Sequence, residues 1–367
     1  MKILFKLCFL AIIPFTAFAN PLSSGLLSPD NVYMKLQGKI ADKYAITMDI
    51  IKRRDTITKA INISGSYYYD NVGIPLDVYG KLDNGGSFEL TERDSKGDIT
   101  GIFKGNFTGN TMKGVWINPK TKKELSFELS EATQNVAQFD FKEYYHENCE
   151  RKKKNLKSHK KDTLNWGDTL CSDMSVSMIS VKNLKANACI KINALLEKTV
   201  LQPITSEKPY KNINDLLHSI DGERDFDYSD EQFGMGVISN EENVLCISVS
   251  YYGNTGGAHP NSYCAFYNFN PQTGDTISLM QIMLPEAIDN LIAVAKEKFI
   301  KTNGDLKENG WFYDEAEFKL ASNFAITKGG LLFQYNSYEA GPYVMGAPQV
   351  FLTKKELEGL VKPEYLK

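Results

Sequence analysis

"SFELTERDSKGDITGIFKGNFTGNTMKGVWINPKTKKELSFELSE", residues 87–131, decides the first half of the fold by its punctuation. Four β-looking runs, "SFELTERD", "ITGIFKGNF", "MKGVWINP" and "LSFELSE", are separated by breakers such as Ser95-Lys96-Gly97-Asp98 and Thr108-Gly109-Asn110. Gly, Asn and Asp clusters between such runs are turn chemistry, and the short links place each strand beside the next. Upstream, "MKLQGKI", "YAITMDIIK", "AINISGSYYYD" and "IPLDVYGKL" repeat the pattern up to Asp83-Asn84-Gly85-Gly86, so eight candidate strands lie between Tyr33 and Ala132. A meander of this length avoids sticky edges by closing on itself. Residues 33–132 are therefore expected to form an antiparallel, barrel-like domain. Its aromatics, Tyr67, Tyr68, Tyr69, Tyr79, Phe88, Phe103, Phe107 and Trp116, either fill the interior, as in most small barrels, or line a cavity for a small apolar ligand.

After residue 132 the strand pattern stops, and residues 133–161 read as a basic connector, helical or extended. Residues 162–367 combine a strand, "SDMSVSMISVKN", with helices, "ANACIKINALLEKTVL" and "DNLIAVAKEKFIKT", and with later strands in "LLFQYNSYEAG" and "PQVFLTKKELEGLV". Ala188, Ile192, Leu195 and Leu196 recur at helical spacing. Strands and helices that do not alternate strictly predict an α+β domain with an antiparallel sheet, so the chain is α+β overall.

The leader "MKILFKLCFLAIIPFTAFAN" has Lys2 and Lys6, an apolar stretch and Ala17-Phe18-Ala19. This predicts a signal peptide over residues 1–19, cleaved on export to the periplasm or the medium. Nothing around Cys8 suggests a lipid anchor, and no later stretch is apolar enough to span a bilayer. A net charge of -3, with 42% hydrophobic and 24% charged residues, gives no reason to expect a nucleic-acid partner. Local charge is less even: "RKKKNLKSHKK" (151–161) carries seven basic residues, and "DGERDFDYSDE" (221–231) six acids against Arg224. Such runs are usually solvated surface and otherwise contact charged envelope polymers or a charged protein.

Without the leader, five cysteines remain, and in an oxidising compartment disulfides are the default. Cys246 and Cys264 flank "GNTGGAHP" symmetrically about Thr255. If the flanking runs pair about that midpoint, Leu245 faces Ala265, Ile247 faces Tyr263, and a cross-strand Cys246–Cys264 disulfide forms. Among Cys149, Cys171 and Cys189 one thiol is left over or pairs between chains.

"YYGNTGGAHPNSYCAFYNFNPQTGDTISLMQIM" (251–283) and "YEAGPYVMGAPQVFLTKKELEGLVKP" (338–363) resemble the signature and the ending of the RsiV-like C-terminal domain family. The resemblance covers residues 236–367, and "SMISVKNLKANACIKINALLEK" (177–198) is similar to the strand and helix that precede it. Members include a lysozyme-sensing anti-sigma factor and a peptidoglycan deacetylase. The resemblance implies an extracytoplasmic module of cell-envelope proteins, with lysozyme or peptidoglycan recognition as one known use. The sigma-binding segment and the deacetylase motif have no counterpart in this sequence.

His259, in the Thr-Gly-Gly-Ala-His turn, could hold the loop, touch a ligand or catalyse. Catalysis needs a nucleophile or bound water and a group to orient the ring, and no Gly-x-Ser-x-Gly or His-Glu-x-x-His motif is present. His146, His159 and His218 lie at spacings that suggest no metal site, and no cofactor is expected. The neighbouring glycines and Pro260 favour a structural peg. The expected function is non-catalytic binding of an envelope protein, lysozyme-like, or of peptidoglycan or another glycan. Tyr252, Thr255, Gly256, Gly257, Ala258, His259 and Tyr343 are the candidate contacts. The alternatives are an envelope hydrolase using dispersed carboxylates such as Asp225, Asp227 and Glu339, or a carrier of a small apolar ligand in the barrel.

Overall fold

The computed structural model describes residues 31–54, 60–83, 85–94, 97–132, 134, 136–151, 169–203, 206–221, 229–312 and 317–366. The leader, most of the basic run and most of the acidic run lie outside these described residues. Eight strands come first: β1 (Val32–Ile40), β2 (Tyr44–Arg54), β3 (Ile61–Tyr69), β4 (Leu76–Leu82), β5 (Ser87–Arg93), β6 (Ile99–Thr108), β7 (Thr111–Ile117) and β8 (Glu124–Glu131). Each pairs antiparallel with the next, and β8 returns to β1 with Leu36 opposite Glu131 and Ile40 opposite Phe127. The expected meander is a closed barrel.

Alternation along β3 sends Tyr67 inward and Tyr68 outward, as a period of two requires. Inside, Tyr67 meets Phe103 edge-on at 5.2 Å, Phe103 meets Phe127 at 5.1 Å, and Phe88 packs between Phe107 and Phe127. These rings and the aliphatics around them, among them Leu36, Met48, Ile50 and Leu90, form one buried cluster. Tyr67, Phe88, Phe103 and Phe127 pack the barrel interior, with Tyr69, Phe107 and Trp116 against them, while Tyr68 and Tyr79 lie outside that cluster. One carboxylate is enclosed with them: Glu92 accepts hydrogen bonds of 2.6 Å from the Tyr67 hydroxyl, the Thr100 hydroxyl and the Trp116 indole N–H. Three donors offset its desolvation.

The second unit is a five-stranded sheet in the order β13-β12-β11-β10-β9, from β9 (Gln138–Arg151), β10 (Thr169–Lys182), β11 (Asp230–Asn240), β12 (Leu245–Asn254) and β13 (Asn261–Phe269). All its pairings are antiparallel except β10 with β11, which are joined by a crossover through α1 (Ala186–Leu201) and α2 (Ile213–Leu217). The first of these helices buries Ala188, Ile192, Leu196 and Val200, one every turn. The segment read as a connector, residues 133–161, instead contributes β9. Phe139 and Phe141 point into the core while Asp140, Lys142, Glu143 and Glu147 intersperse charge along the strand, as befits a protected edge.

The expected Cys246–Cys264 bond is not formed. The hairpin ladder ends at Gly253 opposite Asn261, so it is centred on Gly257 rather than Thr255, and Cys246 stands opposite Asn268, Cys264 opposite Ser250. Leu245 correspondingly faces Phe269, and Ile247 faces Tyr267. Both cysteines are buried with Phe266, Ala325 and Leu332, and burial pushes the Cys246 thiol well up, which makes it inert. The disulfide joins Cys149 and Cys171, directly opposed across β9 and β10.

The chain ends in α3 (Leu279–Ile282), α4 (Ile288–Asn303), and a three-stranded sheet of β14 (Phe324–Thr327), β15 (Gly330–Gln334) and β16 (Gln349–Thr353), followed by α5 (Lys354–Leu357). Asparagine side chains take the place of a neighbouring strand along the outer edge of β13. Asn336 accepts from the Cys264 N–H at 2.7 Å, Asn323 accepts from the Phe266 N–H at 2.8 Å, and the Asn323 amide donates to the Cys264 carbonyl. Asn268 joins the two sheets, donating to the Phe324 carbonyl and accepting from the Ile326 N–H, both at 2.8 Å.

The barrel is seated on the five-stranded sheet through a buried polar junction. Lys35 and Asp49 face each other across β1 and β2, and both are almost fully buried. Lys35 donates to the Asn240 carbonyl at 2.7 Å and to Glu241 at 2.6 Å, while the Tyr33 hydroxyl donates to Asp49. The Asn240 amide donates to the Tyr33 hydroxyl and to the Ala137 carbonyl. A second contact ties the barrel to the three-stranded sheet: Gly73 and Gly329 touch backbone to backbone, and a Cβ on either would lie 2.1 Å from the other.

Candidate functional site

His259 stands in the loop between β12 and β13, and the turn after β15 comes to meet it. Asn254 accepts from the Gly256 N–H at 3.3 Å, closing the start of the loop, and Gly256 takes a φ of 80° that glycine adopts without strain. The His259 ring lies flat on Tyr343, centroids 3.7 Å apart and planes 14° off parallel. His259 Nδ1 is 3.0 Å from the Pro260 carbonyl, which can only accept, so this nitrogen carries the proton. Nε2 then accepts from the Tyr338 hydroxyl at 3.0 Å. The Tyr343 hydroxyl donates to the same Pro260 carbonyl at 2.7 Å. Burial, and then the neighbouring Tyr338, raise the Tyr343 hydroxyl above its ordinary pKa.

With both nitrogens engaged, the imidazole ties the loop to Pro260 and to the turn that carries Tyr338. Thr255, Gly257 and Ala258 are exposed at its tip, Gly256 and His259 are half-buried, and Tyr252 sits in β12 opposite Gln232 and Ser262. Glu339 accepts from the Asn336 N–H at 2.9 Å, which closes its own turn, and Asp225 and Asp227 lie outside the described residues.

Residues not singled out in the sequence complete the surface. Tyr338 is 53% exposed, Val344 62% and Phe312 53%. The Phe312 N–H donates to the Ala340 carbonyl at 2.8 Å, which holds that aromatic beside the Tyr338–Tyr343 turn. Two tyrosines around Gly341-Pro342 were the available signal. His259, Tyr338 and Tyr343 thus form an open aromatic shelf with apolar neighbours. Among the described residues, two groups of side chains could gather around a cation: Glu147 with Cys149 and Cys171, whose sulfurs are bonded to each other, and His146 with His218 and Asp221.

Residues 281–355 match a family described as a protein of unknown function (DUF3298), a stretch that runs from within α3 into α5 and includes the Tyr338–Tyr343 half of the shelf. No curated protein matches the chain. Solved structures similar to it include two DUF3298 family proteins. A DUF3298 family protein from Pseudomonas aeruginosa PAO1 is 16% identical with a TM-score of 0.47, over 62% of this chain and 96% of that one. A DUF3298 family member from Bacteroides fragilis NCTC 9343 is 15% identical with a TM-score of 0.49, over 63% and 98%.

Proposed function

We propose that the protein is an exported, non-catalytic binding module of the cell envelope that takes a peptidoglycan-type glycan on the shelf of Tyr338, His259 and Tyr343. The observation that carries this reading is the stacked, partly exposed ring pair beside exposed Tyr338, Val344 and Phe312. Flat rigid rings with hydroxyls at their rim offer apolar area to the C–H face of a sugar, and they lose little entropy on binding. Export rests on the leader at residues 1–19, and a disulfide between β9 and β10 suits an oxidising compartment. Among the described residues no helix is long and apolar enough to cross a membrane.

A lysozyme-like protein is the second reading, favoured by the acidic run 221–231. Co-sedimentation of the purified protein with insoluble peptidoglycan, and its mixing with lysozyme, separate the two at low and high ionic strength. Glycan stacking should survive salt, whereas attraction to a basic protein should be screened. Tyr338→Ala should abolish sedimentation with peptidoglycan. Absence of sedimentation by the native protein, or full sedimentation by the variant, would refute the glycan reading.

A further inference from the structure

The second cation-ready cluster lies well away from the shelf in the chain. β9 places His146 opposite Met174, so its ring shares the face of the sheet that carries the helical core. Against that face lie α2 and the short 3-10 turn His218–Asp221, anchored by buried Leu216, Leu217 and Ile220. The turn spacing of three residues puts His218 and Asp221 on one side, toward His146.

Asp221 accepts through one oxygen from His146 Nε2 and through the other from His218 Nδ1, both at 2.7 Å, and the two imidazole centroids are 4.0 Å apart. One ligand atom from each residue falls within 4.8 Å of the other two. Burial works against the Asp221 charge, but the bonds from His218 and His146 outweigh it and hold the carboxyl below its ordinary value. The side chains are 20%, 42% and 37% exposed for His146, His218 and Asp221, so solvent ions can reach them.

In this arrangement two protons, one on each ring, point at a single carboxylate. One divalent ion can stand in their place when each ring carries its proton on the other nitrogen, taking a lone pair from His146 Nε2, from His218 Nδ1 and from the carboxylate. Two nitrogens and one oxygen make the donor set of zinc, copper and nickel; calcium and magnesium call for all-oxygen sites. Three protein ligands also leave a coordination position for water or for a group on another molecule. The anchoring of the turn fixes the ligands before any ion arrives.

We propose that His146, His218 and Asp221 form a binding site for a divalent transition-metal ion of the zinc class, clipping β9 to the turn after α2. The test uses the purified full chain, stripped with a chelator and titrated with Zn2+ by calorimetry and thermal melting, and with Co2+ by visible absorption. One saturable site is expected, with a melting temperature that climbs as Zn2+ is added, because the ion binds only the folded arrangement. His218→Gln and Asp221→Asn should each weaken binding by about tenfold or more, while Cys189→Ser should leave it unchanged. Circular dichroism of the apo variants should match that of the native chain, since both positions are open to solvent. Absence of saturable Zn2+ binding by the native chain would overturn the proposal, as would a His146→Gln/His218→Gln double variant that binds as tightly as the native chain.

Discussion

The junction around Lys35 and Asn240 and the shelf around His259 and Tyr343 are built alike, from tyrosine hydroxyls, a nitrogen base and backbone carbonyls of segments distant in sequence. They differ in water. Lys35 and Asn240 are 3% and 2% exposed, whereas Tyr338 is 53% exposed. At the junction every polar group must find its partner inside the protein, because a buried group left alone costs its full desolvation. At the shelf, water can replace any partner, so the same chemistry is free to meet a ligand.

The sharpest way to break this contrast is Lys35→Ala. It leaves Asp49 and Glu241 without their cation and the Asn240 carbonyl without its lysine donor, and should cost about 3–5 kcal/mol in urea unfolding. Tyr338→Ala, at the open cluster, should stay within about 0.5 kcal/mol of the native protein in the same measurement. Equal losses would show that exposure does not separate the two clusters.

Reduction of Cys149–Cys171, or Cys149→Ser, comes next. Its separation of 22 residues predicts a loss of roughly 3 kcal/mol by chain entropy. The loss should fall on the sheet and spare the barrel, which has no cysteine among residues 33–132. Differential scanning calorimetry with and without reductant reads the effect.

Acidity provides the third test. Burial raises Asp49 from 3.8 to about 6, against the pull of Lys35, and burial alone raises Asp77 from 3.8 to about 7. A carboxyl raised in the folded state favours folding when protonated. Its contribution is complete below the unfolded value and fades as the pH climbs through about 6 for Asp49 and about 7 for Asp77. The protein should therefore melt higher at pH 5 than at pH 8. Asp77→Asn should flatten that dependence and add about 2 kcal/mol at pH 8, allowing for the partial exposure of the side chain. An unchanged profile in the variant would remove Asp77 as the cause.

His259→Ala should cost about 1 kcal/mol, well below the losses at Lys35 and at the disulfide, since it removes two hydrogen bonds at a surface where water can substitute. Chemical unfolding measures it, and a loss as large as that of Lys35→Ala would make the shelf structural.

The barrel was legible because its signals are local: Ser95-Lys96-Gly97-Asp98 and Thr108-Gly109-Asn110 each sit beside the strands they join. The first long helix was legible for the same reason, through the spacing of Ala188, Ile192 and Leu196. β9 was missed because its edge position calls for charge, which reads as a connector. The register of β12 and β13 was missed because the loop is lopsided, pinned at Pro260 by Tyr343, and a shift of two residues in the turn moves each cross-strand partner by four. His259 and Tyr343 were named separately, and nothing local told that they stack. His146 and His218 meet only because of the crossover between β10 and β11, a path no spacing records.

The touching backbones of Gly73 and Gly329 have a mechanical meaning. The barrel is braced to the five-stranded sheet through Lys35 and Arg53 and to the three-stranded sheet through Gly73, and those two sheets are laced together by Asn268, Asn323 and Asn336. Three struts that meet at three corners make a truss, and a truss does not fold when one member is pushed. Braced on both sheets, the barrel is tied into the same frame that carries the shelf, since Asn336 beside the Tyr338 turn is itself bonded to β13.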